Sequence, residues 1–178
     1  MPKPELPHDI KMALLVGKYA TPFAILLVFF GLFHASPGPL VRDVSFALLV
    51  FAILFNFIAM AALQQLRDVG VGFVRMRLWV NLGVNIVLVY LLGRYWVPMW
   101  LLLVLTPIAT AIYDTRRKTL VTAVSVAVLL MVLHALQHLQ GGAEWGPQIT
   151  YGVFIILLSM MVNELTQLSR PPSSIVPK

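Results

Sequence analysis

Six long apolar runs recur along the chain, each bounded by short polar breaks, and no other feature limits the fold as tightly. They cover about residues 19–34, 44–66, 77–92, 95–113, 120–139 and 148–168. A helix that crosses the hydrocarbon core of a bilayer needs roughly 20 apolar residues. The first run can extend backward through Met12, and the third is short for a span unless it begins near Val71. A soluble fold is hard to reconcile with the composition: 60% of the 178 residues are hydrophobic and 11% are charged, against about 25% charged in soluble domains. A chain of this length cannot bury that much apolar surface by itself. The expectation is an all-α polytopic membrane protein of six transmembrane helices. It would form one membrane domain over 1–178, with an N-terminal cytosolic or interfacial segment (1–18), a six-helix bundle (19–168) and a short cytosolic tail (169–178).

The breaks have physical causes. Ser36, Pro37, Gly38 and Pro39 suit a tight outer turn. Gly93 and Arg94 part the third and fourth runs, and Asp114 to Lys118 form a polar hairpin. Gly141, Gly142, Gly146 and Pro147 part the fifth and sixth. Proline and glycine do not easily continue a helix, and short connections make successive helices antiparallel neighbours.

Orientation follows from the cations. Lys3, Lys11, Lys18, Arg67, Arg75, Arg77, Arg116, Arg117, Lys118, Arg170 and Lys178 fall on one side of an alternating six-helix path, and only Arg42 and Arg94 on the other. Basic residues stay on the cytosolic side, so both termini are expected there. Tyr90, Tyr95, Trp96, Trp100 and Trp145 fall near the outer interface, and Trp79 and Tyr113 near the inner one, the depths that amphipathic rings prefer. Residues 8–18 alternate polar and apolar positions at helical spacing, which suits either an interfacial helix or a polar start to the first span. Residues 18–22 and 94–98 share a faint pattern, a basic residue followed by Tyr and, three residues on, by Pro. Inverted repeats of transporters can leave such a trace.

Several function classes are disfavoured. The chain has no cysteine, which removes disulfides, thiolate metal sites and a cysteine nucleophile. The formal charge of +6 is distributed as topology signals, so no nucleic-acid partner is expected. No phosphate-binding loop, dinucleotide fingerprint, zinc-protease helix or nucleophile elbow is present, and the expectation is a protein that is not an enzyme. No cleavable signal or lipidation motif stands out.

Two sets of side chains are candidates for chemistry. Asn56, Asn81, Asn85, Thr106, Asn163 and Glu164 form a polar intramembrane set, mostly in the cytosolic half, suited to a ligand cavity or a coupling core. Lipid offers such groups no partner, so they must face other helices. Glu164 could pair with Arg77 or Arg116, or be solvated at the interface. The second set is His34, His134 and His138. The latter two are four residues apart and so share a helix face. Together the three suit metal or haem ligation, or pH sensing, although the plain reading is inert interfacial histidine and no cofactor is expected.

From about residue 77 to 170 the order of features is familiar. Asn85 and Tyr90 precede Leu91-Leu92-Gly93, then Trp96-Val97-Pro98-Met99-Trp100 and Pro107-Ile108-Ala109-Thr110-Ala111. Asp114-Thr115-Arg116-Arg117-Lys118 follows, then a helix through Ala123 and Ala127, and finally Asn163-Glu164-Leu165 and Arg170. This resembles the six-helix membrane sensor module of bacterial histidine kinases, such as those that regulate type IV pili. The resemblance implies a bacterial inner membrane and a role in signal transduction. In such kinases the last membrane helix runs on toward a kinase core. Here Pro171, Pro172, Ser173 and Ser174 intervene and no such core is present, so kinase activity is not carried over. The leading expectation is a sensor-like or accessory scaffold module, embedded in lipid and working through other membrane proteins or further copies of itself. One alternative is the substrate-binding component of an energy-coupling-factor type transporter, with Ala20 and Ala24 as a small-residue face for a partner. The other is a structural subunit of a respiratory or photosynthetic complex, with haem or pigment near the histidines.

Overall fold

The apolar runs fold as helices whose ends follow the turn chemistry. A computed structural model describes residues 8–65, 71–138 and 144–169. Lys3, Arg67, Gly141, Gly142, Arg170, the Pro171–Ser174 stretch and Lys178 lie outside the described residues. The helices are α1 (His8–Phe33), α2 (Pro39–Gln65), α3 (Val71–Leu92), α4 (Leu101–Tyr113), α5 (Arg116–Gln137) and α6 (Trp145–Leu168), with a 3-10 turn, Val97–Trp100, leading into α4. Every element among the described residues is helical.

Four helices are long and apolar enough to cross a membrane, over Leu15–Phe33, Pro39–Ala62, Arg116–Gln137 and Trp145–Leu168. The apolar stretches Met76–Leu92 and Val97–Tyr113 are shorter. The chain is thus an all-α protein with the helices of a membrane protein.

Several boundaries differ from the sequence expectation. The fourth run was expected as one helix from residue 95, but Pro98 sits in the 3-10 turn and α4 itself begins at Leu101. Gly146 and Pro147 do not end the break before α6. They occupy its first turn, where proline loses no helical hydrogen bond. The polar hairpin shrinks to Asp114 and Thr115, because Arg116 to Lys118 already form the first turn of α5 and Lys118 bonds back to Asp114 at 2.9 Å. Residues 8–18 run unbroken into α1. The two segments of the faint pattern differ in structure: 18–22 lie inside α1, while 94–98 form a turn and the start of the 3-10 element.

Contacts at the two ends show that the helices alternate in direction. At one end Gly31 of α1 faces Met99 and Leu92, and Gln137 of α5 donates to Val89 O and Tyr90 O at 3.0 and 2.9 Å. That amide supports the last turn of α3: Val89 O also accepts from Gly93 N at 2.9 Å, and the amide gives helix-end carbonyls a further donor. At the other end Asn163 of α6 donates to Ala111 O at 2.8 Å and to Asp114 O at 3.2 Å.

Helix α4 is the centre. It packs on α1, α3, α5 and α6, and eight of its thirteen residues are buried. Helix α2 packs on α1 and α3 at one flank, and α5 with α6 close the other. The α5–α6 seam is built from small side chains: a Cβ at Gly152 would stand 3.4 Å from Ala127 Cβ, and Ala123 and Ser159 are fully buried. Small residues let helix backbones approach where lipid supplies no hydrophobic drive for association. The main apolar cluster joins Val28, Leu88, Leu92, Met99, Leu102 and Leu103 between the halves.

Candidate ligand cavity

Arg77, Asn81 and Asn85 recur every fourth residue of α3, so they stand on one face of the helix. That face meets α2. Asn56 and Asn81 exchange two hydrogen bonds, Asn56 Nδ2 to Asn81 Oδ1 at 2.7 Å and Asn81 Nδ2 to Asn56 Oδ1 at 3.0 Å. Asn56 Nδ2 also reaches Ala52 O at 2.9 Å. Arg77 Nε donates to Asn56 Oδ1 at 2.9 Å, so that oxygen receives two donors. One turn further along, Asn85 Nδ2 donates to Leu102 O at 3.0 Å and ties α3 to α4.

These groups wall a cavity of about 90 Å3 among α1, α2, α3 and α4, completed by Gly17, Thr21, Thr106 and Tyr113 and by apolar side chains such as Val28, Leu49 and Leu88. Arg77 is only 7% exposed. Gly17 leaves room for it: a Cβ there would stand 2.7 Å from Arg77 Nη2 and 3.2 Å from Met60 Sδ. Among the described residues no carboxylate comes within ion-pair distance of Arg77.

The expected polar set therefore divides. Asn56, Asn81, Asn85 and Thr106 gather at the cavity. Asn163 and Glu164 do not. Asn163, 1% exposed, braces the α4–α5 turn and also donates to Thr119 Oγ1 at 3.3 Å. Glu164 pairs with Arg116 at 3.3 Å on the exposed surface rather than with Arg77. Ala20 and Ala24, the small-residue pair of α1, are among the residues that line the cavity.

The histidines divide as well. His134 and His138 lie with ring centroids 4.4 Å apart, and Trp145 meets His134 edge-on at 5.5 Å. His34 stands just past α1 against Trp96, centroids 5.4 Å apart. Among the described residues no group of three or more His, Cys, Asp or Glu side chains gathers where a metal ion could be held. The His134–His138 pair borders a second hollow of about 480 Å3 with Arg94, Gln137, Glu144 and the Trp100–Tyr151 stack. Its charged members Arg94 and Glu144 are exposed, so solvent screens them. The smaller cavity holds the buried charge, whose attraction to an opposite charge is screened less than at the surface.

Sequence reasoning missed Arg77, Gly17 and Tyr113 as site residues. Arg77 reads as one more topology cation. The signal was its spacing, four and eight residues before Asn81 and Asn85, which puts it on the same helix face.

A helical membrane protein with a polar cavity at a four-helix junction is the class that this fold and site define. No protein-family model, curated protein or solved structure matches the chain.

Proposed function

We propose that the chain is a six-pass, non-catalytic module of a bacterial cytoplasmic membrane that holds a small molecule in the α1–α4 cavity and signals its presence to membrane partners. Both termini lie on the cytosolic side, as the cation asymmetry favours. In this topology Val97–Tyr113 spans roughly 27 Å, at about 2.0 Å per residue in the 3-10 turn and 1.5 Å in α4. That is short of the ~30 Å hydrocarbon core, and local thinning of the bilayer accommodates the difference. Bundle burial supports the assignment, since α4 meets protein on most of its surface.

The observation that carries the reading is the place of the cavity. It sits where α1, α2 and α3 meet α4, and α4 in turn seats α5 and α6. A molecule that alters the fit of α4 therefore biases both halves of the bundle, the helix-shift kind of switch. The resemblance to the sensor module of histidine kinases points the same way.

Gentle purification from the source membrane, with mass spectrometry of all that accompanies the chain, tests the proposal. Stoichiometric membrane proteins, or further copies of the chain, are the expected companions. Uptake of a radiolabelled solute that depends on the chain would instead favour the solute-binding component of an uptake system, a second reading that the same cavity supports.

A further inference from the structure

We infer that the cavity takes an organic anion, with a carboxylate or phosphate head on the Arg77 guanidinium and an apolar body between α1 and α4. This rests on reading the cavity as a ligand seat.

The argument is one of unbalanced charge. A guanidinium carries five N–H donors and one positive charge. Asn56 Oδ1 takes the Nε donor, and the Asn56 and Asn81 amides are otherwise turned toward each other. Amide dipoles and water can satisfy donors, but they do not cancel a charge, and an unpaired charge away from water is expensive. Among the described residues neither Asp nor Glu lines the cavity, and no carboxylate pairs with Arg77. Carboxylate and phosphate oxygens match the guanidinium fork geometrically and supply the missing charge.

The rest of the wall selects the body. Beyond Asn85 it is made of Val28, Leu49, Leu88 and Leu105, which favour methylene groups over water. The cavity of about 90 Å3 is small. One ordered water needs about 10–15 Å3 of such space, so the ligand, or the part of it that enters, has roughly six to nine heavy atoms.

Hexanoate and its neutral counterpart hexanol are suitable probes, titrated calorimetrically into the full chain in nanodiscs of zwitterionic lipid. Empty discs of the same lipid correct for partition into the bilayer. The wild type is expected to bind hexanoate at least tenfold more tightly than hexanol. Arg77→Gln should lose that preference. So should Asn56→Asp, which keeps Arg77 and places a carboxylate beside it. Part replacement of the lipid by phosphatidylglycerol identifies the source: competition with hexanoate marks a lipid headgroup, and its absence marks a soluble anion. Equal binding of hexanoate and hexanol by the wild type would overturn the inference while leaving the cavity as a ligand seat. Binding of neither, or a preference that survives both substitutions, would overturn it too, and occupancy of the cavity would then be judged by the molecule that the chain retains on purification.

Discussion

Arg77 on α3 donates its Nε hydrogen to Asn56 Oδ1 on α2 at 2.9 Å, so an amide inside the bundle is the described support of a buried cation. Replacing Asn56 by Leu removes that acceptor and both bonds to Asn81. A hydrogen bond to a charged group contributes about 1.5–3 kcal/mol, and a loss of that order is expected in unfolding of the detergent-solubilised protein. The double variant Asn56→Leu with Arg77→Leu should recover part of the loss, because the stranded charge is gone. Strict additivity of the two losses would show that the residues act independently.

Neighbouring residues on α6 should respond very differently. Asn163 is fully buried and braces the α4–α5 turn through Ala111, Asp114 and Thr119. Asn163→Leu is expected to cost about 1–3 kcal/mol and to speed amide hydrogen exchange over residues 111–119. Glu164→Gln breaks an exposed pair with Arg116 and should cost under about 1 kcal/mol.

The junction of α3 and α5 has no spare room. A Cβ at Gly93 would run into the carbonyl oxygen of Val89 and stand 3.2 Å from Gln137 Nε2. Gly93→Ala should therefore destabilise the fold by about 1–3 kcal/mol. Gln137→Leu leaves the Val89 and Tyr90 carbonyls without that donor and should cost about 1 kcal/mol. The two effects share one joint and should not add. Thermal unfolding followed by circular dichroism measures all three.

Helices and breaks were legible in the sequence because apolar runs and Pro or Gly clusters act locally. The edges that moved did so for local reasons too. Pro98 suits the start of a 3-10 turn, and Pro147 suits the first turn of α6, so neither stops a helix where a simple breaker rule would put the stop. The site was legible only in part. Asn56, Asn81, Asn85 and Thr106 stand out as polar groups in apolar runs. Whether they meet depends on which helices pack together, and hydrophobicity does not encode that when lipid and protein interior are equally apolar. Arg77 was hidden for another reason: a cation near the inner end of a span serves topology or a site equally well, and only its register with Asn81 and Asn85 separates the two.

Topology can be read directly, because the chain has no cysteine and a single introduced thiol reports without background. Ser36→Cys lies in the α1–α2 turn and Thr115→Cys in the α4–α5 turn, and both positions are exposed. In intact cells a membrane-impermeant maleimide should label Ser36→Cys. Thr115→Cys should react only after permeabilisation. The reverse pattern would place the termini outside, and labelling of both in intact cells would remove the alternating six-pass path.

The most direct test of the account is native mass spectrometry of the full chain released gently from its source membrane, comparing the wild type with Ala24→Leu. Ala24 lines the cavity, and leucine there projects an isobutyl group into a space of about 90 Å3. The account predicts a small molecule retained at one per chain by the wild type and absent from a folded Ala24→Leu variant. A wild type that retains nothing, or a variant that retains the same molecule equally well, would contradict the cavity as the seat of function.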